Sequence, residues 1–304
     1  MGAGGIGSYV GAVLSRAGHD VGLVARGAHA LAVRERGLEV EDGEDGFVAH
    51  PTCLEADEVP DGVDAVLVAV KAYSLDEVAP QLVRLSDGGA LVVPLLNGID
   101  TSERLAAAGV PPDRIVDGVA YMTAFRTAPG EIARRGEHQR LVIGSATGAS
   151  THRLEDVVRI FQGSPIEVLI ADDIRIELWR KMAVVCALAA ICGITGAALG
   201  PIRAHPLGRS LQKRAIGEVM AVGRSRGVPL PCDAEARVGE ILDAFPDDFY
   251  PSVLHDLKSG RRTEMDALGG TLTRLGREAG VETPLFDAAT CAVAVVEGRD
   301  AADR

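Results

Sequence analysis

Short apolar runs and helical stretches alternate through the first half of the chain. Residues 21–25 (VGLVA), 65–70 (AVLVAV) and 90–96 (ALVVPLL) read as buried strands. Helical patterns lie between them, around residues 28–36 and 75–85. Buried strands alternating with helices predict βαβ units and a parallel sheet. Residues 114–144 predict further strands, with turns at Pro129-Gly130 and at Gly136, and residues 168–170 (VLI) close the region. After Ala171 the pattern becomes helical, with breaks expected at Gly193, Gly200-Pro201, Pro206, residues 227–229 and Pro246. The sequence therefore predicts an α/β, Rossmann-type dinucleotide-binding domain over residues 1–170, then an all-helical domain over 171–304. No internal repeat and no Ser/Gly/Pro-rich linker separates them.

Composition narrows the picture. The 304 residues are 47% hydrophobic and 24% charged, which is ordinary for a folded globular chain and excludes overall disorder, collagen or coiled coil. A net charge of −12 opposes phosphate backbones and anionic lipid, so neither a nucleic acid nor a membrane is an expected partner. The run from Met182 to Ile202 lacks charge and is long enough to span a bilayer. Its Ala/Gly content and its isolation favour a buried helix, inside one subunit or at a homodimer interface. The first eighteen residues lack the basic start of a signal peptide. The odd count of 5 cysteines, with no C-x-x-C, fits a reducing cytoplasm, and no metal-type cluster stands out.

The 36 glycines exceed ordinary usage. Residues 2–7 read Gly2-Ala3-Gly4-Gly5-Ile6-Gly7, a G-x-G-x-x-G. In that pattern Gly2 permits a tight turn, Gly4 lets the backbone approach a pyrophosphate, and Gly7 lets a helix pack on the sheet. The helix from about Ile6 offers N–H groups to phosphate. The strand that should precede the motif is absent, and a leader of about five or six residues is expected by strand length. Ala25-Arg26 follows the next strand, where an acidic residue would favour NAD(H). A permanently charged arginine suits a 2′-phosphate, so NADP(H) is the expected cofactor. Arg34 is a weaker candidate for the same task. Lys71 and Asn97 follow predicted strands at their carboxyl ends, where ligands of open α/β sheets lie. A solvated lysine and an Asn-Gly turn are the ordinary alternatives.

Three residues stand out in the helical half. Lys181 borders the uncharged run, where desolvation makes a usable proton donor, or where a lysine simply snorkels from a helix end. Glu264 falls at helical spacing with Leu257, Leu268, Leu272 and Leu275; a carboxylate on an apolar stripe either works or is paired, here with Arg261. Ser252, after Pro251, suits a helix N-cap and equally a substrate hydroxyl donor.

Together these strings resemble the ketopantoate reductase (2-dehydropantoate 2-reductase) family: GAGGIG at 2–7, Arg26, VAVKA around Lys71, LLNG around Asn97, ELWRKM around Lys181, and SVLHDLKSGRRTEMD from Ser252. The resemblance covers essentially the whole chain. It implies NADPH-dependent reduction of a 2-oxo acid, foremost 2-dehydropantoate to pantoate in pantothenate biosynthesis, with cofactor and substrate in a cleft between the domains. Lys181 would protonate the developing alkoxide, and Glu264 would orient it or bind a substrate hydroxyl. Asn97 would hold lysine or substrate, Ser252 would bind the substrate carboxylate, and Lys71 would lie near the nicotinamide. Cofactor binding falls to Gly2, Gly4, Gly5, Ile6, Gly7, Arg26, Lys71 and Asn97. The chain departs from the family at Val185, Ala189 and Phe249, where asparagines are expected. That opens three alternatives: a reductase of a more apolar 2-oxo acid, a non-catalytic NADP(H) sensor, and a hydroxy-acid dehydrogenase of similar architecture.

Overall fold

The computed structural model describes residues 1–43 and 45–298. Its contacts divide the chain into two compact units. One comprises Met1–Leu96 and Asp100–Ile174; the other comprises Asn97–Ile99 and the chain from Arg175 on. Asn97–Ile99, placed by sequence in the first domain, groups with the helical unit because Ile99 packs against that unit's apolar core.

The first unit runs α1 (Gly5–Arg16), β1 (Gly22–Val24), α2 (Gly27–Arg36), β2 (Leu38–Asp42), β3 (Phe47–Ala49), β4 (Thr52–Leu54), β5 (Ala65–Val68), α3 (Leu75–Asp87), β6 (Leu91–Pro94), α4 (Thr101–Ala107), β7 (Asp117–Ala128), β8 (Glu131–Gly144), α5 (Thr151–Ile160) and β9 (Glu167–Ile170). β1 pairs with β4 and β5 with β6, both parallel. All four residues of β6 are buried, as expected of a parallel strand covered on both faces. The amine of Met1 donates to the Leu67 carbonyl at 2.6 Å, and its carbonyl accepts the Ala69 N–H at 2.8 Å. These are the bonds of a parallel neighbour along β5.

A mixed sheet in the order β3-β2-β8-β7 completes the unit. β8 lies beside β2 over Glu131–Arg134 and beside β9 over Arg140–Ile143. The β7–β8 hairpin turns at Pro129-Gly130 as predicted, with Gly130 at φ +80°. Gly136 does not divide two strands. The register jumps from Tyr121↔Arg140 to Thr123↔Arg135, so residues 136–139 bulge from one continuous strand. β2, β3 and β4 were not foreseen. They are short; in β2 exposed Glu39 and Glu41 alternate with the fully buried Leu38 and Val40, whereas β3 (FVA) carries no polar residue.

The second unit contains α6 (Ile174–Thr195), α7 (Leu199–Ala204), α8 (Gly208–Ser225), α9 (Ala234–Ala244), α10 (Ser252–Lys258), a π turn (Asp266–Gly270) that continues into α11 (Thr271–Ala279), and α12 (Pro284–Val296). Residues 186–192 of α6 are buried in its core. Among the described residues α6 alone is long and apolar enough to cross a bilayer, and most of it is covered by protein. The break expected at Gly193 does not occur: α6 continues to Thr195. A Cβ on Gly193 would lie 2.9 Å from Val293 Cγ2, so this glycine serves a close helix approach. Gly200-Pro201 likewise falls inside α7, where proline is tolerated in a first turn. All five cysteines are free thiols.

Candidate active site

In the first unit the glycine motif leads from the end of the Met1 ladder into α1. Gly2 adopts φ +94°, and a Cβ there would lie 2.5 Å from the Val70 nitrogen. On Gly7 a Cβ would meet the Gly2 carbonyl oxygen at 2.0 Å, and on Gly5 the Ala124 oxygen at 2.0 Å. Three glycines are therefore required by the protein's own packing. Gly4 differs: its Cβ would meet nothing within 4 Å. Gly4 precedes α1 in an extended conformation, no side chain caps the helix, and its first turn carries no acidic residue. Open space beside uncapped helix N–H groups fits a bound diphosphate. Ile6 packs toward the unit's core, so only its backbone can face a ligand.

Arg26 stands at the N-cap position of α2, one residue beyond Ala25, which closes β1 by donating to the Leu54 carbonyl. It is exposed, and its guanidinium has no partner among the described residues. Arg34 is already engaged: its Nε donates to the Cys53 carbonyl at 3.3 Å, and Glu58 and Glu55 lie at 3.6 and 3.8 Å. This removes Arg34 as the second phosphate candidate. Lys71 is half-buried and heads the short turn Ala72–Ser74, next to the Val70 that bears on Gly2.

The helical unit holds the candidate acid–base pair. Lys181 is half-buried on the N-terminal half of α6, and burial draws its ammonium down to about 8. Glu264, 6% exposed, opposes that shift by favouring the charged lysine. The two residues are thus brought together by the fold. Glu264 is not the partner of Arg261, whose guanidinium instead holds Asp256 at 2.9–3.0 Å. Nor does Glu264 lie on one helix with Leu257. α10 ends at Lys258, an irregular segment intervenes, and Glu264 opens the next helix by accepting the Leu268 N–H at 3.0 Å. A π turn follows immediately, a local irregularity that recurs at functional sites.

Ser252 is the first helical residue of α10, while Pro251 occupies the N-cap, so the expected capping role is absent. Its exposed hydroxyl has no hydrogen-bond partner among the described residues. Asn97 is half-buried in the turn after β6, before Gly98 and the anchoring Ile99. Val185 lies one turn beyond Lys181 and is partly open, whereas Ala189 is fully buried. Phe249 packs on Phe245 with ring centroids 4.3 Å apart, and its carbonyl accepts the Leu199 N–H. Two of the three departures are therefore packing positions here. Among the described residues no three His, Cys, Asp or Glu side chains cluster as metal ligands.

Residues 1–148 match the family model described as "Ketopantoate reductase PanE/ApbA", and residues 173–297 match "Ketopantoate reductase PanE/ApbA C terminal". The chain is 31% identical over 309 residues to a 2-dehydropantoate 2-reductase of Mesorhizobium japonicum, covering 95% of this chain and 94% of the relative. It is 29% identical over 287 residues to the uncharacterized oxidoreductase YkpB of Bacillus subtilis, covering 94% of each. Among solved structures, a PanE/ApbA family ketopantoate reductase from Ralstonia eutropha JMP134 superposes with a TM-score of 0.87 at 28% identity, covering 98% of this chain and 97% of that one.

Proposed function

The chain belongs to the ketopantoate reductase family of dinucleotide-dependent oxidoreductases, and on that premise we propose that it reduces a small 2-oxo acid to the 2-hydroxy acid with NADPH. The leading substrate is 2-dehydropantoate, giving pantoate for pantothenate biosynthesis. The observation that carries this reading is the half-buried Lys181, held near pKa 8 with Glu264 supporting its charge. At neutral pH such a lysine is mostly protonated, yet it releases its proton more readily than a solvated one. It donates to the carbonyl oxygen as negative charge develops there. Glu264 keeps the proton on the lysine until it is needed and fixes the ammonium's direction. The Ser252 hydroxyl, lacking a partner among the described residues, binds the substrate carboxylate, and Asn97 holds the lysine or the substrate.

The bound dinucleotide supplies the hydride. The space at Gly4 and the uncapped start of α1 receive its diphosphate. Arg26, exposed and without a partner among the described residues, binds a 2′-phosphate, which is the ground for NADPH over NADH. Lys71 serves the nicotinamide side.

A second reading follows from Val185: an apolar side chain one turn from the acid favours a 2-oxo acid without a hydroxyl. NADPH oxidation with 2-dehydropantoate, measured beside a panel of unhydroxylated 2-oxo acids, separates the two. Preference for 2-dehydropantoate supports the first, and preference for the apolar acids supports the second. NADPH binding without turnover on any of them would reject both in favour of a sensor.

A further inference from the structure

His29 lies in the first turn of α2, is 3% exposed, and is bonded at both ring nitrogens. Its Nδ1 accepts the Gly130 N–H at 3.0 Å, at the turn of the β7–β8 hairpin. A backbone N–H can only donate, so Nδ1 carries no proton and the neutral imidazole has its hydrogen on Nε2. Nε2 lies 3.2 Å from the Oγ of Ser8, to which it donates. Ser8 is fully buried, and its own N–H makes the first bond of α1, to the Gly4 carbonyl at 3.0 Å. One ring therefore ties together the helix that follows the glycine motif, the helix that follows Arg26, and the hairpin whose Ala124 closes on Gly5.

We propose that His29 is a positioning residue for dinucleotide binding: by bridging Ser8 and Gly130 it fixes the Gly4 opening of α1 relative to Arg26, so that diphosphate and 2′-phosphate are met at one spacing. The bridge requires the neutral ring. Burial and the nearby Arg126 of β7 both lower its proton affinity below that of a free histidine. Arg36 of α2 and Glu131 of β8 are the other charged groups at the turn it holds. A proton on Nδ1 would set two donors against each other at Gly130 and open the bridge.

The inference rests on the proposed reading of residues 2–7 and Arg26, and NADPH titration of the wild-type protein tests that reading first. Absence of binding by NADPH and by NADH would overturn both. With binding in place, His29→Asn and Ser8→Ala are compared with wild type. His29→Asn keeps an acceptor for Gly130 but does not titrate, and it loses the reach to Ser8. We expect either substitution to raise KM for NADPH about tenfold, as for loss of a buried hydrogen bond. We expect kcat to stay within about twofold and KM for the 2-oxo acid to be unchanged. As the pH falls through and beneath the ordinary imidazole range, the affinity advantage of wild type over His29→Asn should shrink, because only wild type loses its bond to Gly130. The 2′-phosphate also titrates near 6, but it does so for both proteins and cancels in their ratio. A normal KM for NADPH in both variants, or a ratio that stays flat down to the acid limit of folding, would overturn the role of His29. A lowered melting temperature with normal KM would mark the bridge as structural only.

Discussion

In the first unit the proposed site is built largely on backbone, at the open Gly4 of the glycine motif; in the helical unit the proposed site is two ionisable side chains brought from distant parts of the chain. The glycine hexapeptide is local, and its neighbours at Val70 and Ala124 explain why a Cβ is excluded. Lys181 and Glu264 meet only because α6 and the segment before α11 share one core. Backbone sites tolerate change poorly because the fold itself occupies the missing side-chain volume. Side-chain sites can lose chemistry while keeping their fold. The two units should therefore fail differently.

The largest expected effect is in the helical unit. Lys181→Ala should lower kcat by ~10²-fold or more while NADPH affinity, followed by fluorescence titration, stays unchanged. Near-normal turnover would end its role as the acid. Next, Arg26→Ala should cut the preference for NADPH over NADH by roughly 10- to 100-fold, as for loss of a charge-assisted contact. Arg34→Ala, which removes an ion-pair cluster and a bond to the Cys53 carbonyl, should leave that preference alone. The glycines sharpen the contrast further. Gly7→Ala should destabilise by about 1–3 kcal/mol in denaturant titrations through overpacking. Gly4→Ala should leave stability unchanged and weaken NADPH binding. The smallest effect is a displacement in pH. The acid is lost as pH rises through the lysine's value near 8, so the reductive rate should fall above it. Glu264 favours the charged lysine, so Glu264→Gln should move that alkaline limb to lower pH. A limb that stays in place would show that the carboxylate does not govern this proton.

The same contrast explains what could be read from the chain directly. Strings such as VGLVA, AVLVAV and ALVVPLL mark β1, β5 and β6 because parallel strands are apolar on both faces, and the glycine hexapeptide carries its geometry within itself. The partners of side chains were less legible. Arg261 lies three residues from Glu264 and looks like its counter-charge, but the break after α10 turns it to Asp256. Gly193 reads as a helix breaker until Val293 of α12 is seen against it. Asn97–Ile99 follows a buried strand in sequence yet joins the helical unit through one isoleucine. Each depends on a contact with a segment far along the chain, which local pattern does not encode. The family resemblance supplied one distant pairing that the residues alone did not, Glu264 with Lys181, and none of these three.

The threading of β8 also sets a clock. Asp42 of β2 receives its half-buried ion pair from Arg134 of β8, 92 residues later, and β8 is also the strand on which β7 and β9 assemble. At ~5–20 residues per second of synthesis, the early βα segments wait roughly 5–20 s on the ribosome before that strand exists. During this interval β2 has β3 beside it, but its other edge, which β8 will occupy, is unpaired. The nascent chain therefore passes through a window in which one strand edge of the first unit is open to other chains.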